Sequence, residues 1–298
     1  MSSNSPAGAD ALDVHSLTES VVLSTVTTHA RRLESESGIR AGVSRFDIGC
    51  AVVIVLLVGV PTSVLFGIMS LDQGYIWAIA AAVISIATVA ICIRVLLAAS
   101  RHNREAPELR YRLERFAADN ELDYVPEEPE PKHPGQIFSR GQDRVAHNLI
   151  RWPGEGLEVA NYSYVTSGYR GIRSVWQWGY ATAQLDSPAP ALLLAGKKNK
   201  GAFDDRITAL FDIRTPTRLS TPDGGRFELW AWPRDIDVAR RLFDESLLSQ
   251  LAARAIDLEI VDGRVFLFSN RPLSTSDPDT WTWILETVQT IQDRVASS

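Results

Sequence analysis

Two long apolar stretches stand out from the otherwise mixed pattern of polar and hydrophobic positions. Residues 48–69 contain no charged side chain, and residues 75–99 are interrupted only by Arg94. An α-helix rises about 1.5 Å per residue, so each stretch is long enough to cross a hydrocarbon core of about 30 Å. Arg94 is near the end of its stretch, where the guanidinium can reach the headgroups. The pattern predicts a transmembrane helical hairpin within residues 47–100.

The arginines around this hairpin predict its orientation. The connecting segment, residues 70–74, contains neither Lys nor Arg. The arginines that flank the two spans are Arg32, Arg40, Arg45, Arg101, Arg104, Arg110 and Arg112. By the positive-inside rule, both termini face the cytoplasm. We therefore expect a multi-pass protein of the plasma membrane.

Small residues recur along one side of each predicted span. They include Gly59, Ser63 and Gly67 in the first span and Ala78, Ala81 and Ser85 in the second. Such rows allow two helices to approach closely. Because the connecting segment is short, the rows can pack on each other, but they can also form a homo-oligomer or receive a partner helix. Neither span has Asp, Glu, Lys or His in its middle, which argues against a pump or channel.

The rest of the chain shows strand and helix patterns in separate groups. The predicted strands are residues 156–166, 174–185, 189–195 and 227–232, and residues 258–268 are predicted to form a hairpin with a type I′ turn at Asp262-Gly263. Helical spacing predicts helices at residues 235–255 and 278–295, the second with Asp277 as its N-cap. Residues 125–134 are rich in Pro and Glu and are predicted to be an extended connector. This order predicts an α+β fold with a mostly antiparallel sheet and two or three helices.

These patterns divide the chain into three parts. Residues 1–46 are predicted to be a cytoplasmic segment, partly disordered, with a marginal helix between residues 11 and 36. Residues 47–100 form the transmembrane hairpin. Residues 101–298 form a cytosolic α+β domain, and its first 20 residues continue the second span as a charged amphipathic helix.

Charge and cysteine content exclude several classes of protein. The 36 acidic residues outnumber the 30 Lys and Arg, giving a net charge of −6, which argues against nucleic-acid binding. Two cysteines are too few for a disulfide scaffold or a Cys-based zinc site. The five histidines are scattered, so neither a metal site nor a cofactor is predicted.

Basic residues supply the candidates for anion binding. Three of the four lysines, Lys197, Lys198 and Lys200, lie in one loop. This loop is either simply solvent-exposed or a contact for anionic lipid headgroups or an acidic partner. Arg140 and Arg144 could bind an anion, although such residues are commonly part of a solvated face.

Two further pairs are candidates for a site. Trp176 and Trp178 lie on the same face of a predicted strand, where they build core or form a platform for stacking a ligand. Asp143 and His147 are four residues apart, and a carboxylate that orients a histidine is half of a general-base arrangement. No nucleophile or metal-ligand spacing accompanies them, so a surface ion pair is the alternative. They are the only catalytic candidates that the sequence offers.

Several short motifs occur in an order that resembles a known type of bacterial protein. They are residues 116–123, Gln136-Ile-Phe-Ser-Arg-Gly141, Tyr162-Ser-Tyr164, Trp178-Gly-Tyr180, residues 192–194, Ala239-Arg-Arg-Leu242 and Ile260-Val-Asp-Gly-Arg-Val265. The chain resembles uncharacterised membrane proteins, especially of actinobacteria, that join two N-terminal helices to a cytosolic α+β domain of unknown function. The resemblance implies this architecture but no reaction, cofactor or catalytic residue.

Three hypotheses about function follow. The first is a non-enzymatic, membrane-anchored cytoplasmic module that interacts with protein or lipid at the inner leaflet. The second is a membrane-tethered enzyme with an unrecognised site near Asp143 and His147. The third is an accessory subunit of a larger membrane complex, which predicts an exposed row of small residues on the hairpin.

Overall fold

The computed structural model describes residues 12–38, 45–73, 75–168, 171, 173–196, 217–221 and 224–297. The chain divides into two compact units. One comprises Met1–Ser20 together with Arg112–Ser298, and the other is Val21–Tyr111. The first unit therefore joins an N-terminal segment to the C-terminal part of the chain.

The unit Val21–Tyr111 is mainly helical where it is described. Four described helices precede the sheet, namely α1 (His15–Thr18), α2 (Leu23–Ser37), α3 (Arg45–Gln73) and α4 (Tyr75–Asp119), of which α1 belongs to the other unit. By length and composition, α3 and α4 could each cross a membrane. α4 continues without interruption from the second apolar stretch into the charged residues beyond it, as the sequence predicts. The helical pattern predicted between residues 11 and 36 is divided in the structure into α1 and α2, because Val22 is extended and separates them.

The two apolar helices contact each other through small polar residues. The Ser63 hydroxyl donates to the Ala81 carbonyl at 3.1 Å and also contacts the hydroxyl of Ser85. A Cβ atom placed on Gly59 would lie 2.2 Å from Thr88 Oγ1, so only glycine fits there. The rings of Phe66 and Trp77 meet with centroids 5.4 Å apart. These contacts fix the register between α3 and α4.

The other unit is built on one nine-stranded sheet. Its strands are β1 (Asp123–Pro129), β2 (Gln142–Arg151), β3 (Glu158–Ser167), β4 (Arg173–Gln184), β5 (Leu192–Gly196), β6 (Thr217–Ser220), β7 (Arg226–Ala231), β8 (Ile256–Val261) and β9 (Arg264–Ser269). Their order in the sheet is β1-β2-β3-β4-β9-β8-β5-β7-β6, and every pairing is antiparallel. The predicted α+β class with an antiparallel sheet is confirmed.

Local sequence explains how two of the pairings arise. Asp262 and Gly263 both have positive φ, 48° and 70°, as the predicted type I′ turn between β8 and β9 requires. The predicted connector at residues 125–134 is partly wrong, because its first residues form β1. β1 is at the edge of the sheet. A proline is tolerated there because the side of the strand on which it lacks an N–H can face solvent.

One face of the sheet carries an aromatic core. Tyr162, Tyr164, Trp178, Tyr180, Phe266 and Phe268 are buried there and are joined by Ile137 and Phe138 of a short 3₁₀ helix (Gln136–Ser139). Phe138 contacts Tyr162 and Tyr180 with ring centroids 4.9 and 5.0 Å apart. The 3₁₀ helix therefore inserts its aromatic ring among the tyrosines of β3 and β4.

Three helices follow β7, namely α5 (Ile236–Leu242), α6 (Glu245–Arg254) and α7 (Pro278–Ala296). The single helix predicted at residues 235–255 is wrong, because Asp244 is extended and its carboxylate accepts the Leu247 N–H at 2.8 Å, which starts a new helix. Asp277 caps α7 as predicted. Trp281 of α7 is fully buried and contacts Phe116 at 4.9 Å between ring centroids.

Candidate functional site

The pairing of β4 with β9 stops before the N-terminal half of β4 begins. Gly179 pairs with Ser269, the last residue of β9, whereas β3 continues alongside β4 as far as Arg173. Among the described residues, no strand pairs with residues 173–178 on the side away from β3. We call this stretch, Arg173-Ser-Val-Trp-Gln-Trp178, the free edge of β4.

The chain that leaves β9 explains why the edge is open. After Ser269 it crosses one face of the sheet and is held there by Asn161, whose side-chain oxygen accepts the N–H groups of Leu273 and Ser274 at 2.9 and 3.1 Å. A Cβ atom on Gly179 would lie 2.4 Å from the Leu273 nitrogen. Gly179 therefore leaves room for the crossing chain.

The free edge exposes two large apolar side chains to solvent. In the described part of the unit Arg112–Ser298, the exposed large hydrophobic residues are Val175 and Trp176, at 65% and 37% exposure. They are adjacent in β4, so their side chains point to opposite faces of the sheet. Both faces of the free edge therefore present apolar surface to solvent.

Trp176 is held in one orientation. Its ring stacks on Tyr164 with centroids 6.4 Å apart and planes 18° apart, and its Nε1 donates to Thr166 Oγ1 at 2.9 Å. Trp178 lies two residues on, on the same face as predicted, but it is buried in the aromatic core. The two tryptophans thus differ in role: Trp178 is core, and Trp176 is an oriented ring at the surface.

The structure does not bring Asp143 and His147 together. β2 has register shifts between Gln142 and Val145 and between His147 and Ile150, and Asp143 lies in the first with φ of 53°. Asp143 forms an exposed ion pair with Arg173. His147 instead has its Nε2 2.9 Å from Ser163 Oγ. The bulge that separates them has no clear mark in the sequence.

The two candidate arginines differ in their surroundings. Arg144 donates through Nε to Glu130 at 2.6 Å and through Nη1 to the Phe138 carbonyl at 2.8 Å. The hydrogen bond from Arg144 lowers the pKa of Glu130. Arg144 therefore ties the 3₁₀ helix to β2, while Arg140 follows this helix and is partly buried. Lys197, Lys198 and Lys200 lie outside the described residues.

The small residues of the hairpin do not all lie at the contact between α3 and α4. Gly59, Ser63, Ala81 and Ser85 lie where α3 and α4 meet. A Cβ atom on Gly67 would meet nothing within 4 Å, and Ala78 is exposed. Only part of the predicted rows therefore faces the partner helix of the same hairpin.

The structure contains a polar cluster that the sequence did not predict. Arg151 contacts Glu128 at 2.6 Å and Glu158 at 3.2 Å, and Glu158 in turn lies 3.2 Å from His133 Nε2. Burial would raise the pKa of Glu158, but its contacts with His133 and Arg151 lower it below its usual value. Burial raises the pKa of the adjacent Tyr180 phenol. The contacts with His133 and Arg151 therefore favour the ionised form of Glu158.

A second buried acid lies on β8. Glu259 is 2% exposed and accepts the Gln136 N–H at 2.9 Å. Burial raises its pKa to about 7, opposed by the hydrogen bond from Gln136 and by the charge of Arg140. The only sequence signal for this group is a charged residue in an apolar strand. Within the described ranges, no group of three His, Cys, Asp or Glu side chains is arranged to hold a metal ion.

These features define an α+β unit with an open sheet edge, accompanied by two helices that could cross a membrane. No protein-family model matches the sequence, and no curated protein matches it. Among solved structures, the crystal structure of the mycobacterial trehalose monomycolate transport factor A, TtfA, is similar with a TM-score of 0.42 and 16% identity. The alignment covers 62% of this chain and 93% of that chain.

Proposed function

We propose that this protein is a membrane-anchored cytoplasmic module that binds a partner protein at the inner leaflet. The observation that carries the proposal is the apolar surface of α3 and α4. Large side chains are exposed along both helices, including Ile54, Leu57, Ile76 and Ile86, each at more than 60% exposure. So large a patch is unfavourable in water and is typical of a surface that contacts lipid.

The N-terminal segment supports the proposed orientation. Asp13 precedes both apolar helices and Asn120 follows them, yet the two residues are hydrogen-bonded. If both helices cross the bilayer, these two residues can meet only on one side of it. Together with the arginines around the spans, this contact supports a cytoplasmic location for both termini.

The free edge of β4 supports an interaction role. Its backbone is not paired by any described strand on the side away from β3, and the side chains of Val175 and Trp176 are exposed. Sheet edges of this kind are sites of association. No comparable observation favours the enzyme hypothesis, because Asp143 and His147 have different partners.

Membrane anchoring is tested by extraction of native membranes. We expect the full chain to stay in the pellet after alkaline carbonate and 1 M salt washes, at concentrations that remove peripheral proteins, and to enter solution only with detergent. Release by carbonate alone would overturn the proposal. A variant with Leu57→Arg and Ile86→Arg gives the matched control, since both changes place charge on the exposed apolar surface.

A further inference from the structure

We propose that the free edge of β4 receives an extended, acidic and apolar segment of a partner protein as an additional strand. This inference rests on the proposed interaction role and specifies its surface and the chemistry of its partner. At the free edge, β4 has backbone groups directed away from β3, and no described strand receives them. An added strand would pair with residues 173–178 on the same side of β4 on which β9 pairs with residues 179–184.

The backbone of the free edge is suited to pairing. In an antiparallel ladder, the N–H and C=O groups of one residue point to the same side of the strand, and those of the next residue point to the other side. Every second residue of 173–178 therefore presents both groups to the open side. Natural sheets usually protect such edges with proline, short strands or inward-pointing charge. The sequence Ser174-Val-Trp-Gln177 has none of these features.

The two faces of the edge determine the chemistry of the partner. On one face, Trp176 is already fixed by Tyr164 and Thr166, so an apolar side chain can pack on it with little loss of conformational entropy. On the opposite face, Val175 is exposed. An incoming strand alternates its side chains between these faces in the same way.

Charge complementarity makes the partner acidic. Arg271 lies in the crossing chain, with its carbonyl oxygen 2.5 Å from the position of a Gly179 Cβ, so it belongs to the face that carries Val175. The Arg271 side chain is exposed, and its guanidinium has no ion pair or hydrogen bond among the described residues. Arg173 on that face is already paired with Asp143. A carboxylate on the incoming strand would therefore meet Arg271 as its partner.

The test uses two synthetic peptides and the full chain in detergent. The probe is acetyl-Leu-Glu-Val-Glu-Leu-amide, and its matched control has Lys in place of each Glu. We expect the acidic peptide to bind at least about tenfold more tightly, since one charge-assisted contact is worth about that factor. Arg271→Ala should remove most of this difference, and amide exchange should slow at residues 173–178 with the peptide bound.

Proline variants separate strand addition from simple packing on Trp176. Ser174→Pro and Val175→Pro remove neighbouring N–H groups, of which one faces β3 and the other faces the open side. We expect one of the two variants to remain as stable as the native chain and yet to lose the acidic peptide. Equal binding in that variant, or equal binding of both peptides, would overturn the inference.

Two other outcomes would also overturn it. Slowed exchange at residues 173–178 that depends on protein concentration without peptide would show that a second copy occupies the edge. Binding of neither peptide would show that the edge is closed to extended acidic segments. Because these assays are done in detergent, their failure leaves the membrane anchoring of the proposed function intact, and carbonate extraction tests that anchoring separately.

Discussion

Asp13 and Asn120 are hydrogen-bonded to each other twice although 107 positions separate them. The Asp13 N–H donates to Asn120 Oδ1 at 2.7 Å, and Asn120 Nδ2 donates to the Asp13 carbonyl at 2.8 Å. The same segment is held by Arg112, whose Nη1 donates to the Leu17 and Glu19 carbonyls at 2.9 and 2.7 Å. The N-terminal segment is therefore clamped to the end of α4.

Asn120→Ala should release this clamp. The substitution removes both bonds to Asp13 and one from Asn120 Nδ2 to the Phe116 carbonyl, so we expect a loss of about 1 to 2 kcal/mol. Limited proteolysis should then cleave the chain near residues 12–22 several times faster. Asn270→Ala, at an exposed asparagine, is the control, and an unchanged cleavage rate in Asn120→Ala would contradict the clamp.

The hairpin contact predicts different effects for two glycines of α3. Gly59→Ile should destabilise the hairpin, because its Cβ would lie 2.2 Å from Thr88 Oγ1. Gly67→Ile should leave the hairpin unchanged, because nothing lies within 4 Å of that position. Thermal unfolding of both variants in detergent checks the difference. A change of oligomeric state caused by Gly67→Ile alone would show that the small-residue row of α3 also contacts another chain.

Glu259 predicts a dependence of stability on pH. Its carboxyl has a pKa of about 7 when folded, raised by burial from 4.5, so between these values it binds a proton mainly in the folded protein. The free energy of unfolding should therefore fall as pH rises from 4.5 to 7, by about 3 kcal/mol from this group. Below pH 4.5 its contribution to stability is fully present.

Glu259→Gln should remove most of this dependence. The amide oxygen can still accept the Gln136 N–H, but the side chain no longer ionises. We expect the variant to gain stability relative to the native chain at pH 8 and to match it more closely at pH 5, in urea unfolding monitored by circular dichroism. A pH profile that is parallel to the native one would contradict the assignment. Glu286→Gln, on the exposed side of α7, is the control.

The two tryptophans of β4 should behave differently on truncation. Trp178→Ala removes a 4% exposed ring from the aromatic core and should cost about 3 to 5 kcal/mol of stability. Trp176→Ala removes a ring that is 37% exposed and should cost much less. Chemical unfolding measures both values. Equal losses would show that Trp176 is as much a core residue as Trp178.

Long-range sequence patterns predicted much of the fold. Two apolar stretches gave the helices, and alternation with turn residues gave most of the strands, because these signals depend on burial repeated over many residues. β2 was missed because its register shifts near Asp143 and Asn148, both with positive φ, break the alternation. β1 was obscured by its prolines, which only an edge position tolerates.

The candidate site was less predictable. The Trp176 and Trp178 pair was visible in the sequence, but which ring is exposed depends on where β9 ends. The chain that follows β9 is held by Asn161, which is more than 100 residues away in sequence. The cluster of Arg151, Glu158 and His133 was missed because β2, which carries Arg151, was not predicted as a strand.

Cysteine labelling in intact cells tests the central claim most directly. Cys50 and Cys92 would be replaced by serine, and single cysteines introduced at Ser20, Gln73 or Ser297. A maleimide that cannot cross membranes should label the Gln73→Cys variant in intact cells and the other two variants only after lysis. Labelling of Ser20→Cys or Ser297→Cys from outside, or no outside labelling of Gln73→Cys, would contradict a cytoplasmic module anchored by a membrane hairpin.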